Sequence, residues 1–422
     1  MRFNKTALKN GVRVITAPMA GNPTVTVMLS VNTGSFYEAS AESGLSHFLE
    51  HMCFKGTPTR PTPRAITTEL DSIGAIYNAY TAQEVTGYWA KADAKHFNRI
   101  ADIIGDIFKN STFPEKEIEL EKGVVCGEID MYADDPQEKA SRALAAHMYQ
   151  GQPAERDILG TKETVRAITR ETLMAYRKSQ YTGPNVIVTI AGGVSEADMM
   201  DWVTKNLSDL SSDKPRPESL TIEREQKSPE VLIVDKDTDQ AHVVMAWRTF
   251  RRDHPDRHIA RLVKNILKGG MSSRLFIRLR DEMGSGYYVS ANHALHTSFG
   301  YFGVATGTTH VRVAEIVKAV IEEAEKLKTE PITKEELDKV KEFMRAHRLM
   351  SLETSDDVAG YLAEQEAFDG EIISPEEFEA IFGEMTADDV MRVAKILFDR
   401  TKLTIAAIGR GIDREAVIKA VS

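Results

Sequence analysis

The chain has 422 residues, 42% hydrophobic and 27% charged, which is ordinary for a globular protein and enough for two or three domains with sizeable cores. Its formal net charge of -10 argues against a nucleic-acid binder, and two cysteines, Cys53 and Cys126, exclude a disulfide framework and suit a reducing compartment. No apolar run approaches the roughly 20 residues that span a bilayer, so no membrane partner is expected.

The opening stretch, MRFNKTALKNGVRVI, lacks the apolar centre of a secretory signal, which makes the cytoplasm the expected location. GVRVITAP and PTVTVMLSVNTG then alternate as strands do, and HFLEH follows on a predicted helix. Ser43 is placed to cap that helix, and Gly56 followed by Pro58 ends it. IYNAYTAQEVTGYWAKAD reads as a strand pair, with a long helix from His96 behind it. EIELEKGVVCGEIDMY, from Glu117 to Tyr132, reads as a further helix. A Ser-, Pro- and charge-rich stretch lies between Leu207 and Glu230, and residues 211–229 read as a linker between domains of residues 1–210 and 230–422. The second half repeats the order: strands EVLIVDK and AHVVMAWRTF, a helix from Pro255 to Lys268, strands GYYVSANHAL and GYFGVATGTT, and a helix from Val311 to Lys328. Strand pairs with helices on one face, built twice, predict an α+β fold of two similar domains in tandem, each an antiparallel-rich sheet.

The chemistry is densest in HFLEHMCFKGT. On a helix, Leu45, Phe48, Leu49 and Met52 share one face. His47, Glu50 and His51, at i, i+3 and i+4, share the opposite one. Two imidazoles one turn apart reach a single cation of Zn²⁺ size, and Glu50 beside them is placed to take a proton from water on that cation. H-x-x-E-H is the inverse of the more common zincin order. A third ligand is needed, and Glu121 and Glu128, seven residues apart and two turns along one helix face with Ile118, Val124 and Val125, are the candidates. Carboxylates on an apolar face need a partner, and a cation supplies one. Gly123 and Gly127 in the same helix are expected to let another helix come close.

HFLEHMCFKGT followed by EKGVVCGE resembles the inverzincin metallopeptidases of the pitrilysin/insulysin group, and within them the mitochondrial processing peptidase and its short-chain bacterial relatives. Glu128 lies 77 residues beyond His51 and seven beyond Glu121, as the group's pattern requires. The resemblance implies His47, His51 and Glu128 as zinc ligands, one zinc per chain, Glu50 as general base, and Glu121 as the second glutamate, a catalytic residue that supports the ligands or the catalytic cycle. NAYTAQEVTGYW resembles the strand after the zinc helix, which implies Asn78 and Ala79 beside a bound peptide. ILGT at Ile158 and YTGPNVIVTIAGGV at Tyr181 also resemble group landmarks. GGMSSRLFIRLRDEMGSGYYVSA resembles the segment that supplies Arg280 and Tyr287 as substrate contacts near the scissile bond. Residues 1–210 would then be the zinc-peptidase domain, and 230–422 the similar domain carrying the Arg/Tyr pair.

The resemblance further implies a zinc endopeptidase that hydrolyses short or unfolded peptides in a closed chamber. Because one chain carries both motifs, a homodimer with two sites is the expectation, and a heterodimer with a zinc-free homologue the alternative. The competing function is a non-catalytic or weakly active partner subunit of a heterodimeric processing peptidase, which loss of a ligand or of Glu50 would mark; neither is lost. Cys53 and Cys126 stand two positions from a ligand and read as small core residues. His254 and His258 read as a helix start with Pro255 at its first position, and His293 and His296 as strand residues facing opposite ways.

Overall fold

The computed structural model describes residues 1–421. It holds two mixed sheets, each with its own helical layer. The first is formed by β1 (Asn4–Ala7), β2 (Arg13–Pro18), β3 (Thr24–Val31), β4 (Ile76–Thr81), β5 (Thr86–Asp93) and β6 (Val186–Gly192), in the order β1-β2-β6-β3-β5-β4. The second is formed by β7 (Glu230–Val234), β8 (Ala241–Thr249), β9 (Val289–Leu295), β10 (Gly300–Thr308) and β11 (Leu403–Ile408), in the order β7-β11-β8-β10-β9. Apart from β1 the two orders match strand for strand. In both, one pair is parallel (β2 with β6, β7 with β11) and the rest antiparallel. The duplicated α+β architecture expected from the order of elements is therefore present as matched topology.

Alternation along the strands explains the layers. Val25, Val27, Leu29 and Val31 of β3 point to one face, with Tyr88, Ala90, Val186, Val188 and Ile190 from their neighbours. There they meet Leu45, Phe48, Leu49 and Met52, and Ile100, Ile103, Ile104 and Ile107 of the helix Phe97–Asn110. Side chains of about this size each contribute roughly 1.5–3 kcal/mol on full burial, so this layer anchors the helix that carries the histidines.

The opposite face of the first sheet is covered from far along the chain. Ile15, Ala17, Ile187 and Ala191 pack against Val358, Ala359 and Leu362 of the helix Ser355–Phe368. Ser355 Oγ meets Thr24 and Thr26 hydroxyls at 3.0 and 2.9 Å, and Asp356 pairs with Lys91 at 2.5 Å. Glu366, almost fully buried, pairs with Lys5 and Arg13. The second sheet makes the reciprocal arrangement. The helix Pro136–Met148 from the first half of the sequence packs on β8 and β11, and Arg248 of β8 lies 4.8 Å from the Tyr149 ring just beyond it. Trp247, pointing the other way, meets the Phe398 ring edge-on at 5.3 Å.

Contacts accordingly cluster into two discontinuous units. Unit one comprises residues 1–130, 156–219 and 349–374; unit two comprises 131–155, 220–348 and the remainder. Residues 208–229 contain neither strand nor helix. Among the described residues no helix is long and apolar enough to cross a membrane.

Several local expectations differ. The helix expected from Pro255 begins at Arg257, with Asp256 at the cap position. His293 lies in β9 as expected, whereas His296 falls just beyond its end.

Candidate metal centre

The helix Leu45–Cys53 turns its apolar stripe into the core and leaves His47, Glu50 and His51 on the other side. Its cap is not Ser43. Gly44 holds that position with φ 91°, a left-handed conformation that suits glycine, and offers no side chain. The carboxylate of Glu38 takes over, accepting the N–H groups of Gly44 at 2.9 Å and Ser46 at 2.6 Å. Burial pushes the Glu38 carboxyl up to about 7, against the opposing pull of those bonds and of Arg156.

The helix Glu115–Asp134 supplies the carboxylates. Ile118, Glu121 and Val125 are its buried side, and Glu128 stands one more turn along it. Val124, expected on that face, is 55% exposed. Gly123 and Gly127, expected to admit another helix, have no atom within 4 Å of where a side chain would begin. The reason is positional: 123, 124 and 127 fall off the 118–121–125–128 stripe.

Between the two helices, His47 Nε2 and His51 Nε2 lie 3.7 and 3.9 Å from Glu128 Oε2. One donor atom from each of His47, His51 and Glu128 lies within 4.8 Å of the others. Tetrahedral bonds of about 2.1 Å hold donors roughly 3.4 Å apart, so the three fit one Zn²⁺ with small adjustments. Two imidazoles and a carboxylate are also a donor set that zinc takes.

The surrounding groups set protonation. Burial and the neighbouring His51 lower His47 to about 4, so its ring is neutral and free to donate a lone pair. Glu121, 4% exposed, bonds His51 Nδ1 at 2.8 Å and Lys55 Nζ at 2.6 Å. Burial opposes its charge, but those two bonds outweigh burial and hold its carboxyl below the usual range. An ionised carboxylate only accepts, so His51 donates from Nδ1 and presents Nε2 to Glu128. Burial works against a charged His51, yet the Glu121 bond and the nearby carboxylates raise its pKa. Glu50, half-buried, is raised by desolvation and held by the hydroxyl of Thr81, which donates to Oε2 at 2.7 Å.

Thr81 ends β4, the outermost strand of the sheet, and Asn78 and Ala79 stand on the same strand. Asn78 is exposed, and its Oδ1 accepts the Ala79 N–H at 2.9 Å. Arg280 and Tyr287 belong to unit two. Arg280 lies in a wide helical turn, Ile277–Glu282, 5.2 Å from the Phe276 ring, and Tyr287 is 59% exposed. Cys53 is fully buried and Cys126 half-buried against the core.

Sequence reasoning missed Lys55, Thr81 and Glu38. Lys55 carried a signal, since it continues the His47–His51 stripe by one more turn. Thr81 and Glu38 are brought in by tertiary packing and left none.

Comparison with known proteins agrees with this reading. Residues 13–162 match the insulinase (peptidase family M16) model, and residues 167–344 match the model described as the peptidase M16 inactive domain. A protein of Rickettsia felis named an uncharacterized zinc protease is 31% identical, over 96% of this chain and 97% of that one. A Bacillus subtilis protein with the same description is 33% identical over 82% of this chain and 84% of its own length. The beta subunit of the mitochondrial-processing peptidase of Dictyostelium discoideum is 29% identical over 96% of this chain and 88% of that one. The crystal structure of a protease from Helicobacter pylori shares the fold, with a TM-score of 0.91 over 97% of this chain and 99% of that one, at 22% identity. By sequence along nearly its whole length, the chain belongs to the pitrilysin/insulysin-type metallopeptidases, the insulinase family M16, as a short-chain member similar to the mitochondrial processing peptidase beta subunit.

Proposed function

We propose that this chain is a zinc endopeptidase that hydrolyses short or unfolded peptides, with one zinc per chain held by His47, His51 and Glu128. The observation that carries the reading is the approach of those three donors to one another beside a half-buried Glu50. Zinc held there would supply a water of lowered pKa, near 7, and would polarise the scissile carbonyl. Glu50, beside the three donors, is the base that takes a proton from water and returns it to the leaving nitrogen. Thr81 fixes one carboxylate oxygen and leaves the other for that transfer. Glu121 and Lys55 hold the His51 ring in the tautomer protonated at Nδ1, which leaves the Nε2 lone pair for the metal.

The peptide lies along β4 near Asn78 and Ala79, pairing with the free edge as an added strand. Arg280 and Tyr287 bind its carbonyl oxygens, and Tyr287 donates to the oxyanion of the tetrahedral intermediate. The working form is a homodimer enclosing a chamber with two sites, each completed by Arg280 and Tyr287 of the opposite chain. The relatives named as processing-peptidase beta subunits support a heterodimer with a zinc-free homologue as the alternative. The cytoplasm is its location. A non-catalytic partner subunit is not favoured, because all three donors and Glu50 are in place.

The test is metal content of the purified chain, with cleavage of a quenched fluorescent basic peptide before and after chelation. About one zinc per chain and chelator-sensitive cleavage are expected. A chain without zinc after purification and zinc dialysis refutes the reading.

A further inference from the structure

The two histidines are steadied by different means. The His51 ring is tied to Glu121 through Nδ1 at 2.8 Å. The corresponding Nδ1 of His47 is buried and has no hydrogen-bond partner among the described residues. Ring hydrogen bonds ordinarily fix the aim of a metal-ligating histidine, so His47 must take its aim from its backbone.

That backbone belongs to the first turn of a nine-residue helix, too short to be rigid by itself. The turn is gripped at two points. Glu38, 0% exposed, accepts the N–H groups of Gly44 and of Ser46, the residue immediately before His47. Gly44 also crosses Gly160 of the ILGT stretch at backbone contact. A methyl on Gly44 would meet the Leu159 oxygen at 2.5 Å, and one on Gly160 would meet the Ser43 oxygen at 2.2 Å. Arg156 donates to the backbone oxygen of Glu38, which fastens the carboxylate's own segment. A surface Ser or Asp caps a helix without burying a charge. A fully buried carboxylate pays a desolvation cost that capping alone does not require.

We propose that Glu38 is a positioning residue of the metal centre: through the amides of Gly44 and Ser46 it fixes the aim of His47, as Glu121 fixes His51 through its ring. The inference rests on the reading that His47, His51 and Glu128 hold the metal.

The test compares the full-length wild type with Glu38→Gln and with Tyr176→Phe. The Tyr176 hydroxyl bonds Ser46 Oγ at 2.7 Å, so its removal loosens the same turn while leaving the amide bonds intact. Zinc affinity is read by competition with a chromophoric chelator, ligand geometry by the visible spectrum of the Co²⁺-loaded protein, and stability by thermal unfolding of the metal-free chain. Glu38→Gln keeps one acceptor but places an amide NH₂ against a backbone N–H. It is expected to weaken zinc about ten- to hundredfold and to change the cobalt spectrum. Tyr176→Phe is expected to stay within about twofold of wild type with the spectrum unchanged, while the metal-free forms of both variants unfold at similar temperatures. Wild-type affinity in Glu38→Gln overturns the proposal, and so does equal weakening in Tyr176→Phe. If Glu38→Gln does not fold, Glu38→Asp keeps the charge, shortens the reach by one methylene, and is held to the same outcomes. A wild type that binds no zinc sinks the metal reading itself; normal zinc binding in Glu38→Gln sinks only the positioning role.

Discussion

Glu121 joins His51 to Lys55: one carboxylate oxygen bonds the His51 ring at 2.8 Å and the other meets the Lys55 ammonium at 2.6 Å. The arrangement pairs a buried charge with two donors, which is the condition under which such a charge is tolerated. Glu121→Gln keeps the shape and loses the charge, so both the His51 tautomer and the Lys55 partner are weakened. Zinc affinity is expected to fall about ten- to hundredfold, measured by chelator competition. Unchanged affinity would show that Glu121 does not orient the ligand.

Glu50 is expected to separate metal binding from chemistry. Glu50→Gln removes the proposed base while leaving His47, His51 and Glu128 untouched. Zinc content should stay at the wild-type level, while peptide cleavage falls about 10²- to 10⁴-fold. Retained turnover would remove Glu50 from the mechanism, and lost zinc would place it among the ligands.

Sharing of sites between chains is open to a complementation experiment. Homodimers of Glu50→Gln and of Arg280→Ala should each be nearly inactive. A mixed dimer with shared sites has one intact site, formed by the zinc side of the Arg280→Ala chain and Arg280 of the other. About half the wild-type rate is then expected. A mixture no faster than its parents means that each site is completed within one chain.

Stability should depend on pH through His293, far along the chain from the candidate metal centre. Burial, with Arg261 and Lys264 nearby, lowers His293 to about 3. Its ring is enclosed by Phe250 and Phe302, with centroids at 5.2 and 6.0 Å. A depressed histidine binds fewer protons folded than unfolded, so stability rises with pH between the two pKa values and is lost as pH falls from about 6.5 towards 3. His258, lowered to about 4 by burial and by Arg257 and Arg261, acts in the same direction. His293→Gln should reduce the loss of unfolding free energy between pH 7 and pH 4 by roughly 3 kcal/mol, read from denaturant melts at both values. Parallel pH profiles for the two proteins would contradict this.

Periodicity made the histidine helix legible because its two stripes answer to different forces, burial on one side and chemistry on the other. Leu45, Phe48, Leu49 and Met52 are in the core, and His47, Glu50 and His51 stand apart from it, as spacing alone requires. Repetition of strand order likewise carried the duplicated architecture. Periodicity says which side of a helix is apolar, not what will cover it. It therefore gave no sign that Val358, Ala359 and Leu362 pack on strands more than 160 residues earlier. Nor did it show that Gly123 and Gly127 face open space. Capping rules look for a polar residue at the cap itself, so Ser43 was the natural choice. The carboxylate that does the work comes from Glu38, six residues before Gly44, because the intervening loop folds back on the helix.

The reciprocal placement of Ser355–Phe368 and Pro136–Met148 also constrains the order in which the protein matures during synthesis. The first sheet has all six strands once residue 192 has emerged, and its histidine and glutamate helices well before that. Its second face, where Ile15, Ala17, Ile187 and Ala191 lie, stays bare until residues 355–368 leave the ribosome. While residues 193–354 are being made the nascent chain therefore carries an exposed apolar surface, and the first unit can close only after the helix Ser355–Phe368 has followed.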